Sequence, residues 1–119
     1  DRMIIQKGSA RKEVKSEMFE GKGEVTLEIL VEPVYLKEEM KMFNRMTFPP
    51  GASLGLHSHV DNFELYYILE GEATAIDDGK EVKVYPGDLI YTADGNTHAI
   101  INTGDSPMVM LATVIYENK

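Results

Sequence analysis

The chain has no cysteine and no tryptophan, and it has only three histidines in 119 residues. Without cysteine no disulfide can staple the fold, so stability has to come from a packed core, which a chain of this length can form as one domain. Any bound metal has to be held by nitrogen and oxygen. The lack of thiols agrees with a cytoplasmic location. No apolar run approaches the roughly 18 residues that a membrane helix needs. No charged-then-apolar leader of the secretory kind is visible, which gives an expectation of a protein without a targeting segment. Positive charge is scarce as well: 12 Lys and Arg against 20 Asp and Glu leave a formal net charge of -8. An acidic surface repels phosphate backbones, so neither nucleic acid nor a membrane is an expected partner.

Helical periodicity is also nearly absent. Turn residues punctuate the chain at Pro49-Pro50-Gly51, Asp61-Asn62, Glu70-Gly71, Asp77-Asp78-Gly79, Pro86-Gly87-Asp88, Asp94-Gly95-Asn96 and Gly104-Asp105-Ser106-Pro107. Each contains residues that tolerate a left-handed backbone or preset φ. Between them lie short segments rich in β-branched and aromatic residues. Val25, Leu27, Ile29 and Val31 alternate with polar neighbours. Further strands are expected from Met40 to Phe48, Glu64 to Glu70, Glu72 to Ile76, Lys80 to Tyr85, Asp88 to Thr92, His98 to Asn102 and Met108 to Tyr116. Short, evenly spaced strands predict an all-β antiparallel sandwich or small barrel. Arg11 to Phe19 is the one stretch that suggests a helical turn. Residues 1–24 therefore read as an N-terminal extension, with a short helix or an edge strand, before a β-barrel over 25–119.

The three histidines fall into one pattern with a glutamate. The first stretch reads Gly51-x5-His57-x-His59-x4-Glu64-x6-Gly71, and the second reads Gly87-x5-Ala93-x-Gly95-x2-His98-x3-Asn102. On a strand, His57 and His59 point to the same face and can grip one ion. Glu64 lies five residues after His59 and would face the other way on an unbroken strand. The Asp61-Asn62 turn lets the chain reverse and present it from a neighbouring strand. His98 comes from a distant strand that a folded-over sheet brings close. Neutral imidazoles plus a carboxylate suit a divalent first-row metal. Such a site carries one net positive charge with a dication bound, so it welcomes water, hydroxide or a small anionic chelator.

Other residues near this pattern have two readings each. If Glu64 points inward, so does Tyr66, which then offers a hydroxyl to a ligand or simply fills the core. Asn102 shares the phase of His98, and either faces the pocket or ties a loop. Arg45 sits mid-strand. Facing inward it could hold a carboxylate in a two-pronged grip; facing outward it is a surface arginine or a dimer salt-bridge partner.

Over Gly51 to Asn102 the two motifs resemble those of the cupin family. The first matches at every fixed position, and the second departs only at Ala93, where the family usually has proline. The resemblance implies a single double-stranded β-helix (jelly-roll) barrel with a metal inside it, held by His57, His59, Glu64 and His98. Manganese is the metal it favours, with iron, nickel, cobalt or zinc as alternatives. It also implies a homodimer, with help from the N-terminal strand. Short one-barrel chains of this kind are similar to proteins labelled possible oxalate decarboxylases, so the expected function is an enzyme acting on a small carboxylate such as oxalate. The decarboxylase pattern places an arginine just before the histidine pair. Leu54 stands there in this chain, so Arg45 would have to substitute. An iron-dependent dioxygenase and a non-catalytic module that binds or senses a small ligand are the alternatives, because one barrel hosts many chemistries.

Overall fold

The computed structural model describes residues 4–117. Among these residues, ten strands form two antiparallel sheets. They are β1 (Arg11–Ser16), β2 (Glu24–Ile29), β3 (Met40–Phe48), β4 (Ser53–Ser58), β5 (Asn62–Glu70), β6 (Ala73–Asp77), β7 (Lys80–Val84), β8 (Leu89–Thr92), β9 (Thr97–Ile101) and β10 (Met108–Tyr116). The larger sheet has the order β1-β2-β3-β10-β5-β8, and the smaller has β4-β9-β6-β7. Because the first and last strands of the barrel motif lie side by side in one sheet, and successive hairpins cross between sheets, the fold is a jelly roll.

Period-two alternation decides which side chains enter the space between the sheets. On β3 these are Met42, Asn44, Met46 and Phe48; on β5 they are Glu64, Tyr66 and Ile68; on β10 they are Met108, Met110, Ala112 and Val114. Phe48, Ile68, Met108 and Met110 are fully buried and join Ile100 and Leu54 of the facing sheet in one core. Burying each such side chain contributes about 1.5–3 kcal/mol.

The alternating strands from Val25 onward are all present, and the structure adds one that composition did not mark, β4, whose residues Ser53–Ser58 pair with β9. The suggested helical turn at Arg11 to Phe19 is corrected. Arg11–Ser16 is an edge strand in register with β2, and a 3-10 turn follows at Met18–Glu20. Charged residues of high helix propensity dominate this stretch, but it has no apolar stripe to bury as a helix. Pairing with β2 supplies hydrogen bonds at once, and the mostly polar side chains suit a sheet edge.

Gly71 joins β5 to β6 at φ +75°, and a Cβ there would stand 2.4 Å from the Pro107 carbonyl oxygen and 2.9 Å from Met108 Cα. Both the left-handed backbone and the backbone contact exclude a side chain. The Gly71→Ala variant is expected to lose about 2 kcal/mol or more of unfolding free energy in urea titration while keeping its β-sheet circular dichroism. A loss under about 0.5 kcal/mol would show that the β5–β6 turn has slack.

Candidate metal centre

The four residues of the histidine and glutamate pattern come from β4, the residue just past its end, β5 and β9, and so from both sheets. His57 lies on β4 and pairs directly with His98 on β9. A register irregularity between Leu54 and His57 turns His57, and His59 just past the strand end, toward the interior. His59 follows the end of β4, and Asp61 at φ 63° reverses the chain into β5, where Glu64 faces back. The predicted turn is therefore the device that brings Glu64 beside the pair. Two backbone hydrogen bonds hold the segment after β4 against the β8–β9 loop: Gly95 N–H donates to His59 O at 2.8 Å, and His59 N–H to Asn96 O at 3.3 Å.

The donor atoms converge. The Nε2 atoms of His57 and His59 lie 2.8 Å and 3.1 Å from that of His98. Glu64 Oε1 lies 2.8 Å from His59 Nε2, 2.9 Å from His98 Nε2 and 3.5 Å from His57 Nε2. All four donor atoms fall within 4.8 Å of one another. Glu64, His59 and His98 are buried.

The other ring nitrogens decide what these donors can do. His57 Nδ1 sits 2.8 Å from the Gly55 carbonyl oxygen, and His59 Nδ1 sits 2.7 Å from Asn62 Oδ1. Both acceptors require Nδ1–H, so in the neutral rings both Nε2 atoms present lone pairs to the centre. His98 Nδ1 is anchored 2.8 Å from Thr92 Oγ1. When the Thr92 hydroxyl accepts from His98 Nδ1–H, all three Nε2 atoms present lone pairs and no hydrogen faces Glu64 Oε1, a buried acceptor without a hydrogen-bond donor. Three imidazole lone pairs and a carboxylate oxygen packed this closely repel one another unless a cation lies among them. The donor set therefore fits a divalent metal.

The electrostatics agree. Burial pushes the Glu64 carboxyl upward, but where protons take the cation's place on the ring nitrogens, hydrogen bonds from the three imidazoles outweigh it and hold the group well below its ordinary value. The hydrogen bond with Glu64 raises His59, while burial lowers His98. The pocket keeps its carboxylate ionised and draws positive charge, so proton and metal compete for the same lone pairs.

A cupin-domain family model matches residues 44–114. The chain belongs to the cupin family. It is 40% identical over 113 residues to an oxalate-binding protein of Thermotoga maritima, covering 95% of this chain and 93% of that one. A crystal structure of a predicted oxalate decarboxylase from Thermotoga maritima superimposes with a TM-score of 0.92 at 39% identity, over 96% of this chain and 99% of that one. The polyketide cyclase RemF of Streptomyces resistomycificus shares the fold, with a TM-score of 0.80 at 18% identity over 97% of this chain and 80% of its own.

The three further residues singled out in the sequence fare differently in this cupin. Tyr66 is in the site: its ring stacks on His98 with centroids 4.7 Å apart, and its hydroxyl lies 3.3 Å from His98 Nε2. Burial first, and the Glu64 charge second, push its hydroxyl well above the usual tyrosine value, so it stays a proton donor. Arg45 points away. It alternates with the inward Asn44 and Met46, and it pairs with Glu28 at 2.9 Å and Glu70 at 3.1 Å on the outer face of the sheet. Asn102 is a loop tie. Its Nδ2 donates to the carbonyls of Phe48 and Ser106, and its Oδ1 accepts from Gly104 N–H, each at 2.9 Å. That leaves its amide no role toward the cluster.

Two residues of the site escaped sequence reasoning. Thr92, fully buried at the end of β8, orients His98. Phe19, in the turn after β1, stacks on His57 with centroids 4.0 Å apart and planes at 15°. The turn reaches that position because Gly55 has no Cβ, which would stand 1.9 Å from the Phe19 carbonyl oxygen. Neither residue belongs to a motif, and Phe19 lies 38 positions before the histidine on which it stacks.

Replacing Thr92 by the near-isosteric valine removes the anchor of His98 Nδ1 and little else. Metal affinity, measured by competition with a chromogenic chelator, is expected to fall about 10–100-fold in the Thr92→Val variant without loss of fold. Affinity equal to the parent chain would show that His98 is oriented by packing alone.

Proposed function

We propose that this cupin holds one divalent metal, manganese foremost, through His57, His59, Glu64 and His98, and that it takes a small carboxylate such as oxalate at the positions those residues leave open. The observation that carries the proposal is the set of Nδ1 anchors, which aim imidazole lone pairs at one point beside an ionised carboxylate. Four protein donors leave about two positions to a metal that prefers six oxygen and nitrogen ligands. The bound metal would polarise a carboxylate held there. With a dication the centre carries one net positive charge, which favours an anion. The similarity to an oxalate-binding protein supports oxalate as the first choice.

Decarboxylation is a second reading, and Tyr66 favours it. Breaking the carbon–carbon bond of oxalate releases carbon dioxide and leaves an electron pair on the remaining carbon. That carbon needs one proton to become formate. The Tyr66 hydroxyl lies beside the cluster and keeps its proton; though a weak acid, it can pass that proton to a carbon that becomes strongly basic as the bond breaks, and be reprotonated by water admitted when the products leave. Arg45 takes no part, being engaged with Glu28 and Glu70 on the outer face.

Dimerisation is part of the same proposal. Ile4, Ile5 and Tyr35 are exposed, and the first two line a groove with Ile29, Leu30 and Val31 beside the β1 edge. An edge strand with an apolar groove at its flank is a surface that a second copy can cover.

Calorimetry with oxalate on the manganese-loaded chain, followed by formate and carbon dioxide assay, tests both readings. Saturable binding is expected, with equal yields of formate and carbon dioxide if the second reading holds. Binding without products would confine the protein to ligand capture. No binding of oxalate, malonate or succinate would overturn the proposal.

A further inference from the structure

Among the described residues, two buried side-chain polar atoms have no hydrogen-bond partner: Glu64 Oε1 and Asn44 Oδ1. The first is accounted for by the cation that its cluster fits. The second is not. Asn44 is 4% exposed. Its amide makes one weak contact, from Nδ2 to Met42 Sδ at 3.9 Å. A buried acceptor left unpaired costs stability, and such groups are rare unless something else satisfies them.

The register shows where the amide points. Asn44 pairs with Ala112, and Ala112 pairs with Tyr66, so the three lie in one inward-facing row across β3, β10 and β5. The next row is Met42, Val114 and Glu64. Asn44 therefore faces the interior from β3, which flanks β10 in the same sheet as the glutamate strand β5, with only the methyl of Ala112 on the strand between it and Tyr66. Its remaining neighbour in the row is Ile29, which offers no polar group.

We infer that Asn44 reads the ligand: its unpaired Oδ1 accepts a hydrogen bond from the protonated carboxyl end of a singly ionised dicarboxylate, across Ala112 from the Tyr66 hydroxyl. This rests on the proposed carboxylate function and adds a specificity residue to it. An amide suits the task because Oδ1 accepts from a protonated carboxyl or a bridging water, while Nδ2, held only by its weak contact with Met42, can donate to the second oxygen of the same carboxyl. It carries no charge of its own, so it needs no counter-ion while the site is empty of ligand.

Asn44→Leu keeps the shape and removes both polar atoms, and Asn44→Ala serves as the second variant. The readouts are metal content, thermal midpoint and oxalate affinity by calorimetry on the manganese-loaded chains. Both variants are expected to keep the parent's metal content, and Asn44→Leu to keep or raise the thermal midpoint, because it removes an unsatisfied buried group. Oxalate affinity is expected to fall tenfold or more in both. Parent-like oxalate affinity in either folded variant would overturn the inference. Loss of metal together with oxalate would overturn it too, by making Asn44 a support of the metal cluster. If the parent chain itself binds no oxalate, malonate or succinate, the carboxylate proposal fails and this inference falls with it.

Discussion

Four electron-rich atoms held within van der Waals reach of one another are the constraint on which the rest of this structure depends. Nε2 of His57, His59 and His98 and Oε1 of Glu64 face a common point, with separations down to 2.8 Å. Folding into this arrangement is costly by itself, because lone pairs repel and a buried carboxylate lacks water. Hydrogen bonds at the far ring nitrogens oppose that repulsion by fixing ring orientation. The Gly55 carbonyl, Asn62 and Thr92 each hold one imidazole. A cation at the centre turns the same contacts from repulsive to attractive, and this is how a metal site couples to folding.

Much of the jelly roll can be understood as the scaffold for that point. His57 and His98 sit opposite each other on one sheet, and Glu64 enters from the other, so the cluster spans the space between the two layers. The core beneath it, with Phe48, Ile68, Met108 and Met110, keeps the sheets at a fixed separation. Asn102 seals the far end by tying Phe48, Gly104 and Ser106 together. On the near side, Phe19 lies flat on His57, in a turn where Glu17, Phe19 and Glu20 all have positive φ. Three left-handed non-glycine residues so close together are unusual and store strain. The contact with the ring of His57 and the close approach to Gly55 are what hold that turn in place.

The cluster was legible in the sequence because its members obey local rules. A histidine pair at i and i+2, a turn, a glutamate and a glycine at fixed spacing can be seen in one dimension. The strands were legible where they alternate, as from Val25, or lie between clear turns. The rest depends on phase and on partners distant in the chain. Arg45 and Asn44 are neighbours on a strand whose two faces carry similar residues, so alternation alone did not say which enters the barrel. The structure turns Asn44 inward and Arg45 outward. Thr92 and Phe19 act on histidines that only the fold brings near. Of the two readings of the N-terminal extension, the edge strand holds and the helical turn from Arg11 does not, because polar residues of good helix propensity also serve at a sheet edge, where pairing with β2 decides the outcome.

The most direct test of the central claim is the metal content of untagged protein, by plasma mass spectrometry, for the parent chain beside His59→Ala. The account predicts about one equivalent of a divalent first-row metal per parent chain, with manganese foremost, and its loss in the variant. Metal-free protein in both cases, even after reconstitution with manganese and iron, would contradict it. The converging lone pairs would then need another cation, and the carboxylate chemistry built on the metal would have no foundation.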